Sequence, residues 1–153
     1  MEVSIKSFEK PVPYSLKKRG MNGSTRICIA ENGEYVWYEK IQADKEGAKL
    51  FYNENARYKA TLRSQLAAET KIKAGHPPLW DKDKRIEASI TVIFPQGQSS
   101  AYKPDLDNML KTFLDAGTGI LYKDDCQVTR ISMEKIDGDD NCWTVIMSMH
   151  PES

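Results

Sequence analysis

The sequence predicts an α+β fold in which one β-sheet carries two helices. Apolar residues alternate with polar ones in several short segments, as in half-buried strands, and recur every three or four residues in two others, as in amphipathic helices. The chain has 153 residues, which is an ordinary size for one domain, and 40% of them are hydrophobic, too many for a disordered chain. We therefore predict a single domain over residues 1–153, without repeats or linkers.

The first predicted elements are a strand and a hairpin. Residues Val3–Phe8 alternate between apolar and polar, which is typical of a half-buried strand, and the prolines of Pro11-Val12-Pro13 interrupt this pattern. Asn32-Gly33 favours a tight turn because both residues tolerate positive φ. We therefore predict that Arg26–Ala30 and Glu34–Tyr38 pair as the two strands of a hairpin.

A long helix is predicted next, from about Asp44 to Ala74. This segment contains neither proline nor a β-rich run, and Gly75-His76-Pro77-Pro78 ends it. The apolar residues that recur within it at helical spacing are Leu50, Phe51, Tyr58, Leu62 and Leu66. Such spacing predicts an amphipathic helix, and we expect Phe51, Tyr52 and Tyr58 to belong to the core or to a dimer interface.

A central strand and a second helix are the clearest elements of the second half. The apolar face of the strand consists of Ile86, Ala88, Ile90, Val92 and Phe94. Pro95 bounds this strand. The apolar residues of the helix, at positions i, i+3, i+4, i+7 and i+8, are Leu106, Met109, Leu110, Phe113 and Leu114. This pattern predicts an amphipathic helix, which Gly117 and Gly119 end.

Three extended segments are predicted after that helix. Ile120–Tyr122 is a short one, and two longer segments, Val128–Ile136 and Trp143–Met149, alternate in the manner of strands. Because Asp137-Gly138 is a turn-forming dipeptide between them, we predict that the two longer segments pair as a final hairpin.

The formal net charge is zero but unevenly distributed. Residues 1–80 carry 14 Lys and Arg against 9 Asp and Glu, whereas residues 81–153 carry 8 against 13. The acids of the second part are mostly Asp, which suits caps, turns and oxygen-ligand metal sites. Two interpretations are open: a protein that holds a polyanion near a carboxylate-bound cation, or an ordinary chain with a solvated Lys/Glu helix and Asp-containing turns.

Several functional classes lack support. The chain has no run of about 18 apolar residues, which argues against a membrane span, and no apolar signal core at its N-terminus, so we expect a cytoplasmic protein. Cys28, Cys126 and Cys142 lack the C-x-x-C spacing of a zinc site and are odd in number, which disfavours a disulfide framework. The G-x-S-x-G motif of serine hydrolases and the P-loop motif are also absent.

Carboxylates gather around the second helix. A proline places Asp105 at or next to the N-cap and Asp107 in the first turn, Lys111 lies four residues later, and Asp124-Asp125 follow the helix. Helix capping explains the first two acids and a solvated turn explains the last two, and both structural explanations remain open. The functional interpretation is metal-assisted phosphoryl chemistry, in which Mg²⁺ takes carboxylate oxygens and a lysine ammonium stabilises phosphate charge.

Two motifs carry these residues. They are Lys103-Pro104-Asp105-Leu106-Asp107-Asn108-Met109-Leu110-Lys111 and Ile120-Leu121-Tyr122-Lys123-Asp124-Asp125-Cys126-Gln127-Val128. Together they resemble the signature of the RusA family of Holliday-junction resolvases, which is roughly D-x-D-N, a lysine three residues after the Asn, and then D-D-x-Q. The resemblance implies a single RusA-like domain, α+β, with a mixed β-sheet, a long helix and a shorter catalytic helix.

The resemblance also implies a function. It is that of a homodimeric crossover junction endodeoxyribonuclease, which depends on Mg²⁺, with Mn²⁺ as a substitute, and resolves four-way DNA junctions by paired symmetric nicks in recombination and repair. The catalytic residues that it implies are Asp105, Asp107, Lys111 and Asp125. The metal ligands that it implies are Asp105, Asp107, Asp125 and, as a supporting acid, Asp124. Asn108 is expected to brace the helix start, and Asp115 to be a helix-surface or dimer residue.

Basic residues near the N-terminus are the predicted DNA contacts. They are Lys10, Lys17, Lys18, Arg19 and Arg26. Such a segment tracks DNA phosphates when it lies beside a carboxylate site, although an ordinary solvated loop explains the same charges. Tyr14 and Tyr102 are candidates for stacking on unpaired bases, or else packed or surface tyrosines. Two alternative functions stay open: a non-catalytic branched-DNA-binding protein of the same fold, and a metal-dependent nuclease for another branched DNA.

Overall fold

The main sheet of the protein is mixed and has four strands. The computed structural model describes residues 2–12, 26–31, 34–39, 45–72 and 76–152. The strands are β1 (Val3–Ser7), β4 (Ile86–Phe94), β5 (Val128–Asp137) and β6 (Thr144–Pro151), and their order across the sheet is β1-β6-β4-β5. β4 runs parallel to β5 and antiparallel to β6, which in turn is antiparallel to β1. The predicted strands at the start and centre of the chain are therefore confirmed.

A separate two-stranded sheet confirms the predicted hairpin. β2 (Arg26–Glu31) and β3 (Glu34–Glu39) pair antiparallel in the register that a two-residue turn between them requires. The turn residues Asn32-Gly33 themselves lie outside the described residues. Tight turns of this kind favour such a dipeptide, since both central residues need positive φ.

The described residues include two α-helices, and both were predicted. The long helix α1 (Lys45–Thr70) ends four residues before the predicted Ala74, because Lys71 takes a left-handed conformation with φ of 58°, which is a common way for a helix to stop. The second helix, α2, spans Leu106–Gly117. Among the described residues, neither helix is long and apolar enough to cross a membrane.

One hydrophobic core joins both helices to the main sheet. Tyr58 of α1 is fully buried and meets the ring of Phe113 of α2 edge-on, with 6.3 Å between the ring centroids. The other core residues of these helices and of the central strand are Leu62, Leu66, Met109, Ala116, Ile86, Ala88, Ile90, Val92 and Phe94. Tyr58 is thus a core residue, whereas the side chains of Phe51 and Tyr52 lie outside the description.

The predicted final hairpin is wrong in its pairing, although both of its strands exist. β5 and β6 are separated by β4, which pairs with each of them. The burial of the strands explains this order, since β4 and β6 bury alternate side chains while most of β5 is exposed. A central position suits the two apolar strands, and the polar strand β5 lies at the edge.

The Asp137-Gly138 turn serves this different topology. The backbone N–H of Gly138 donates to the carbonyl of Phe94 at 3.0 Å, and that of Gln96 donates to the carbonyl of Asp140 at 2.7 Å. A Cβ on Gly138 would lie 2.5 Å from Cγ2 of Ile93 and 2.7 Å from that Phe94 carbonyl oxygen. Glycine therefore allows the chain to pass closely over the end of β4 instead of turning back onto β5.

Candidate active site

The start of α2 presents two exposed carboxylates. Asp105 is the N-cap residue, with extended φ and ψ of −77° and 150°, but its side chain makes no capping hydrogen bond. Asp107 follows in the first turn, and both residues are exposed. The capping position predicted for Asp105 is confirmed, whereas the capping bond that would explain its carboxylate is not made. These two acids are therefore accessible to a ligand at the positive end of the helix dipole.

Strand β5 fixes the loop that leads into this helix start. Nζ of Lys135 donates to the carbonyl oxygens of Tyr102, at 2.9 Å, and of Pro104, at 3.2 Å. Oδ1 of Asp137 accepts the backbone N–H of Ser100 at 2.6 Å, and this bond holds the pKa of Asp137 below its usual value. The side chain of Tyr102, predicted as a stacking candidate, is 75% exposed. The loop is thus anchored through its backbone while its aromatic ring stays accessible.

Lys111 connects α2 to the second acidic motif. Its Nζ donates to Oδ1 of Asp115 at 2.8 Å and to Oδ2 of Asp125 at 2.9 Å. Partial burial by itself would lower the pKa of Lys111, but hydrogen bonds and the charges of the two carboxylates outweigh it and hold that pKa above its ordinary value. Lys111 is therefore a fixed cation at neutral pH, and it suits electrostatic stabilisation better than proton abstraction.

The second acidic motif forms a short 3-10 helix, Asp125–Gln127, that is capped at its start. Oδ1 of Asp124 accepts the backbone N–H of Cys126 at 3.0 Å, which is the main reason why the pKa of Asp124 lies below its usual value. Oε1 of Gln127 accepts the backbone N–H groups of Lys123 and Asp124, at 2.9 and 3.2 Å. Reciprocal bonds of this kind define the conformation of a capping box and so orient both acids.

Gln127 also ties the motif to a distant turn. Its Nε2 donates to the carbonyl oxygens of Asp81, at 2.9 Å, and Lys84, at 3.2 Å. Gln127 is buried, and its amide has a partner on both its oxygen and its nitrogen. The Asp124–Asp125 segment is consequently held against the turn that precedes β4.

Close packing supports the end of α2. The buried hydroxyl of Tyr122 donates to the carbonyl of Leu114, and burial, together with the charges of Asp125 and Asp115, raises the pKa of this tyrosine. A Cβ on Gly117 would lie 2.5 Å from the Tyr122 hydroxyl oxygen. Glycine at this position therefore permits the tyrosine to approach the helix.

An arginine from α1 caps the same helix end. Nη1 of Arg63 donates to the carbonyl oxygens of Thr118 at 2.6 Å, Ala116 at 3.3 Å and Asp115 at 3.4 Å. Cationic side chains at this position satisfy carbonyls that lack intrahelical partners. Tyr122 and Arg63 thus both hold the last turn of α2 in place.

The structure brings some predicted site residues together and reveals one that sequence reasoning missed. Lys111 contacts Asp125, and Asp124 lies next to Asp125 in the chain, while Asp105 and Asp107 lie at the start of α2. Asp115, which we expected on the helix surface or in a dimer contact, binds Lys111 one turn earlier on the same helix. Its i+4 spacing from Lys111 was the available signal.

The predicted DNA contacts are only partly described. Lys10 is exposed, and its Nζ lies 5.6 Å from the centroid of the Trp143 ring. Arg26 starts β2, but the description does not include its side chain. Lys17, Lys18, Arg19 and Tyr14 lie outside the described residues. The DNA-binding assignment therefore stays a prediction.

The carboxylates have the right chemistry for a hard divalent cation, which prefers oxygen ligands. Within the described ranges, however, no group of three or more His, Cys, Asp or Glu side chains is gathered in a way that could hold a metal ion. Mg²⁺ often binds through one or two carboxylates and completes its shell with water and substrate phosphates. The donor set fits that mode of binding, and the full ligand set stays a prediction.

Comparison with protein families decides the assignment of the chain. A family model described as endodeoxyribonuclease RusA matches residues 21–147, more than half of the chain. The chain belongs to the RusA endodeoxyribonuclease family. The predicted family and its α+β fold are thereby confirmed, and both acidic motifs and Lys111 fall within the match. A comparison with curated proteins finds no match.

The extent of the RusA match separates the predicted site residues into two groups. All of the acids and Lys111 lie inside it, and so does Arg26, whereas Lys10, Lys17, Lys18 and Arg19 precede its first residue. The match therefore covers the acidic motifs of the candidate site, whereas most of the basic segment precedes it.

Proposed function

We propose that the protein is a Mg²⁺-dependent endonuclease that resolves four-way DNA junctions by paired symmetric nicks. The observation that carries this proposal is the Lys111 ammonium, bound at 2.9 Å to Asp125. This contact joins the helix that bears Asp105 and Asp107 to the segment that bears Asp124 and Asp125. Acids from two segments beside a fixed cation are suited to metal-assisted phosphodiester cleavage.

The proposed roles follow from these positions. Asp105, Asp107 and Asp125 would hold Mg²⁺, or Mn²⁺ in its place, with Asp124 in support, and each ion would take one or two of these carboxylates together with water and phosphate oxygens. When bound, the ion supplies a nucleophilic hydroxide and neutralises the leaving oxygen. Lys111 stabilises the negative charge that builds on the phosphate, because its neighbours keep it protonated. Gln127 keeps the acidic segment in the orientation that this arrangement needs.

The proposed assembly is a homodimer on branched DNA. Two symmetric nicks require two active sites, and a two-fold dimer matches the symmetry of a four-way junction. Lys10 and the basic residues Lys17, Lys18, Arg19 and Arg26 would contact phosphates, so binding should weaken steeply as the salt concentration rises. The exposed ring of Tyr102, three residues before Asp105 in a loop whose backbone is anchored, is suited to stack on an unpaired base.

Cleavage assays on matched substrates test the proposal. Purified protein is incubated with a mobile four-way junction, a fixed junction, a flap and a linear duplex, with Mg²⁺, Mn²⁺ or EDTA. We expect paired nicks in the four-way junctions and dependence on the divalent ion. Preferential cleavage of the flap would assign the protein to another branched DNA, and tight junction binding without any nick would make it a non-catalytic binder.

A further inference from the structure

Lys111 is bound by two carboxylates, and only one of them belongs to the proposed metal-binding acids. Its Nζ lies 2.8 Å from Asp115 and 2.9 Å from Asp125. We propose that Asp115 is a positioning residue, which holds Lys111 in the active site through a contact that does not depend on Asp125. This inference rests on the proposed function and deepens it.

Helix stability does not account for an acid at position 115. Asp115 lies near the C-terminal end of α2, whose last turn has no basic residue. The helix dipole disfavours a carboxylate at that end, and a lysine placed four residues before an acid is the weaker of the two orders for such a pair. The contact with Lys111 therefore explains the residue better than local helix formation does.

The backbone that carries Asp115 is firmly held. Its carbonyl accepts the N–H of Thr118 at 3.2 Å and Nη1 of Arg63 at 3.4 Å, and the carbonyl of Leu114 accepts the hydroxyl of Tyr122. The side chain of Asp115 is only 22% exposed, against 42% for Lys111. A carboxylate in a fixed place can thus restrict a long side chain that would otherwise sample many rotamers.

The two contacts of Lys111 differ because Asp125 is a proposed metal ligand and Asp115 is not. If Asp125 bound the metal ion, the ion would draw part of the negative charge of this carboxylate, and the attraction of Asp125 for Lys111 would weaken. The contact with Asp115 would still hold the ammonium of Lys111 beside α2. Because this ammonium remains partly exposed, it stays accessible to a DNA phosphate while it is held.

A double-mutant cycle tests this role on the full-length protein. We expect Asp115→Asn to lower kcat on a four-way junction about 10-fold while KM changes less than about twofold, and Lys111→Met to lower kcat further. If Asp115 acts through Lys111, the double variant is no slower than Lys111→Met alone. Asp115→Glu should recover part of the rate, and the exposed control Asp139→Asn should behave as wild type. Equal losses from Asp115→Asn in both backgrounds would overturn the inference.

A second readout does not need cleavage. Acylation of Lys111 in the folded protein, followed by mass spectrometry, measures how well its carboxylate partners protect the amine, because acylation needs the neutral and accessible amine. We expect faster labelling of Lys111 in Asp115→Asn, the wild-type rate in Asp139→Asn, and the same melting temperature for both. An unchanged labelling rate in Asp115→Asn would refute the positioning role. If wild-type protein cuts no branched DNA, the proposed function fails, and the labelling experiment still decides the role of Asp115.

Discussion

The two ends of α2 are built in opposite ways. At its start, Asp105 and Asp107 are exposed, and the side chain of the N-cap residue makes no capping bond. We call this pair the open end. From its middle to its end, Lys111 forms ion pairs with Asp115 and with Asp125, and Gly117 packs against Tyr122, while capping bonds hold the Asp124–Gln127 segment in place. We call this second group the braced end.

The contrast suggests a division of labour in the proposed site. The braced end is assembled by contacts within the protein, since the Lys111 ammonium and the Gln127 amide already have protein partners. At the open end, the loop that leads into the helix is anchored, but the carboxylates of Asp105 and Asp107 are exposed. Changes at the open end should therefore affect cleavage without affecting stability, whereas changes to the buried residues of the braced end, Gly117 and Gln127, should lower stability.

The largest effect is expected at the open end. Asp107→Asn should lower Mg²⁺-dependent cleavage by about 10³-fold or more, because it removes a proposed metal ligand without removing volume. Junction binding should survive, and the free energy of unfolding should stay within about 0.5 kcal/mol of wild type, as expected for an exposed position. Cleavage assays, gel-shift binding and urea denaturation measure the three quantities, with Asp139→Asn as the matched control. Wild-type cleavage by Asp107→Asn would refute the assignment of this site.

The open end was predictable from sequence because its geometry is local. The 3.6-residue period of α2 places Asp105 at the cap and Asp107 in the first turn. The support of the braced end is not local, since Gln127 reaches carbonyls at positions 81 and 84. No pattern within the D-D-x-Q motif shows which distant turn it will contact.

Strand order was unpredictable for a related reason. The alternation of β5 and β6 indicates two strands, and the intervening Asp137-Gly138 indicates a turn, so a hairpin was the simplest prediction. Which strand neighbours which depends on how much apolar surface each must bury, and β4 needs a partner on both edges. That requirement depends on the whole sheet, so the turn-forming dipeptide alone does not determine which strands pair.

The next largest effect is expected at Gly117 in the braced end. A helical Gly→Ala change ordinarily stabilises a protein by up to about 1 kcal/mol. Here the added Cβ would lie 2.5 Å from the buried Tyr122 hydroxyl oxygen, so we expect Gly117→Ala to destabilise by about 1–3 kcal/mol. Urea denaturation measures the difference. If Gly117→Ala stabilises the protein, Tyr122 moves away easily, and the end of α2 is less rigid than its packing indicates.

A smaller loss of stability is expected for Gln127→Met, which keeps the side-chain volume but removes all of its hydrogen bonds. Exposed backbone groups at positions 81 and 124 can turn to water instead, so we expect about 1–2 kcal/mol of destabilisation. Because Asp124 and Asp125 lose their fixed orientation, kcat on a junction should also fall, by about 10-fold. Denaturation and steady-state kinetics test the two effects. A loss of stability with unchanged kcat would show that the hydrogen bonds of Gln127 support the fold but do not orient Asp124 and Asp125 for cleavage.

The smallest effect concerns the anchor of the open end and has a definite pH dependence. Asp137 accepts the N–H of Ser100, and this bond lowers the pKa of Asp137 below its ordinary 3.8. A group whose pKa is lowered in the folded protein contributes stability above its ordinary pKa, and this stability is lost as the pH falls through the folded pKa.

The amide resonance of Ser100 should therefore titrate with a midpoint below 3.8. In Asp137→Asn this titration should disappear, and at pH 6 the Ser100 amide should exchange with solvent faster than in wild type. Equal exchange rates would mean that Asp137 does not anchor the loop and that Lys135, which binds the carbonyls of Tyr102 and Pro104, is the stronger anchor of the open end.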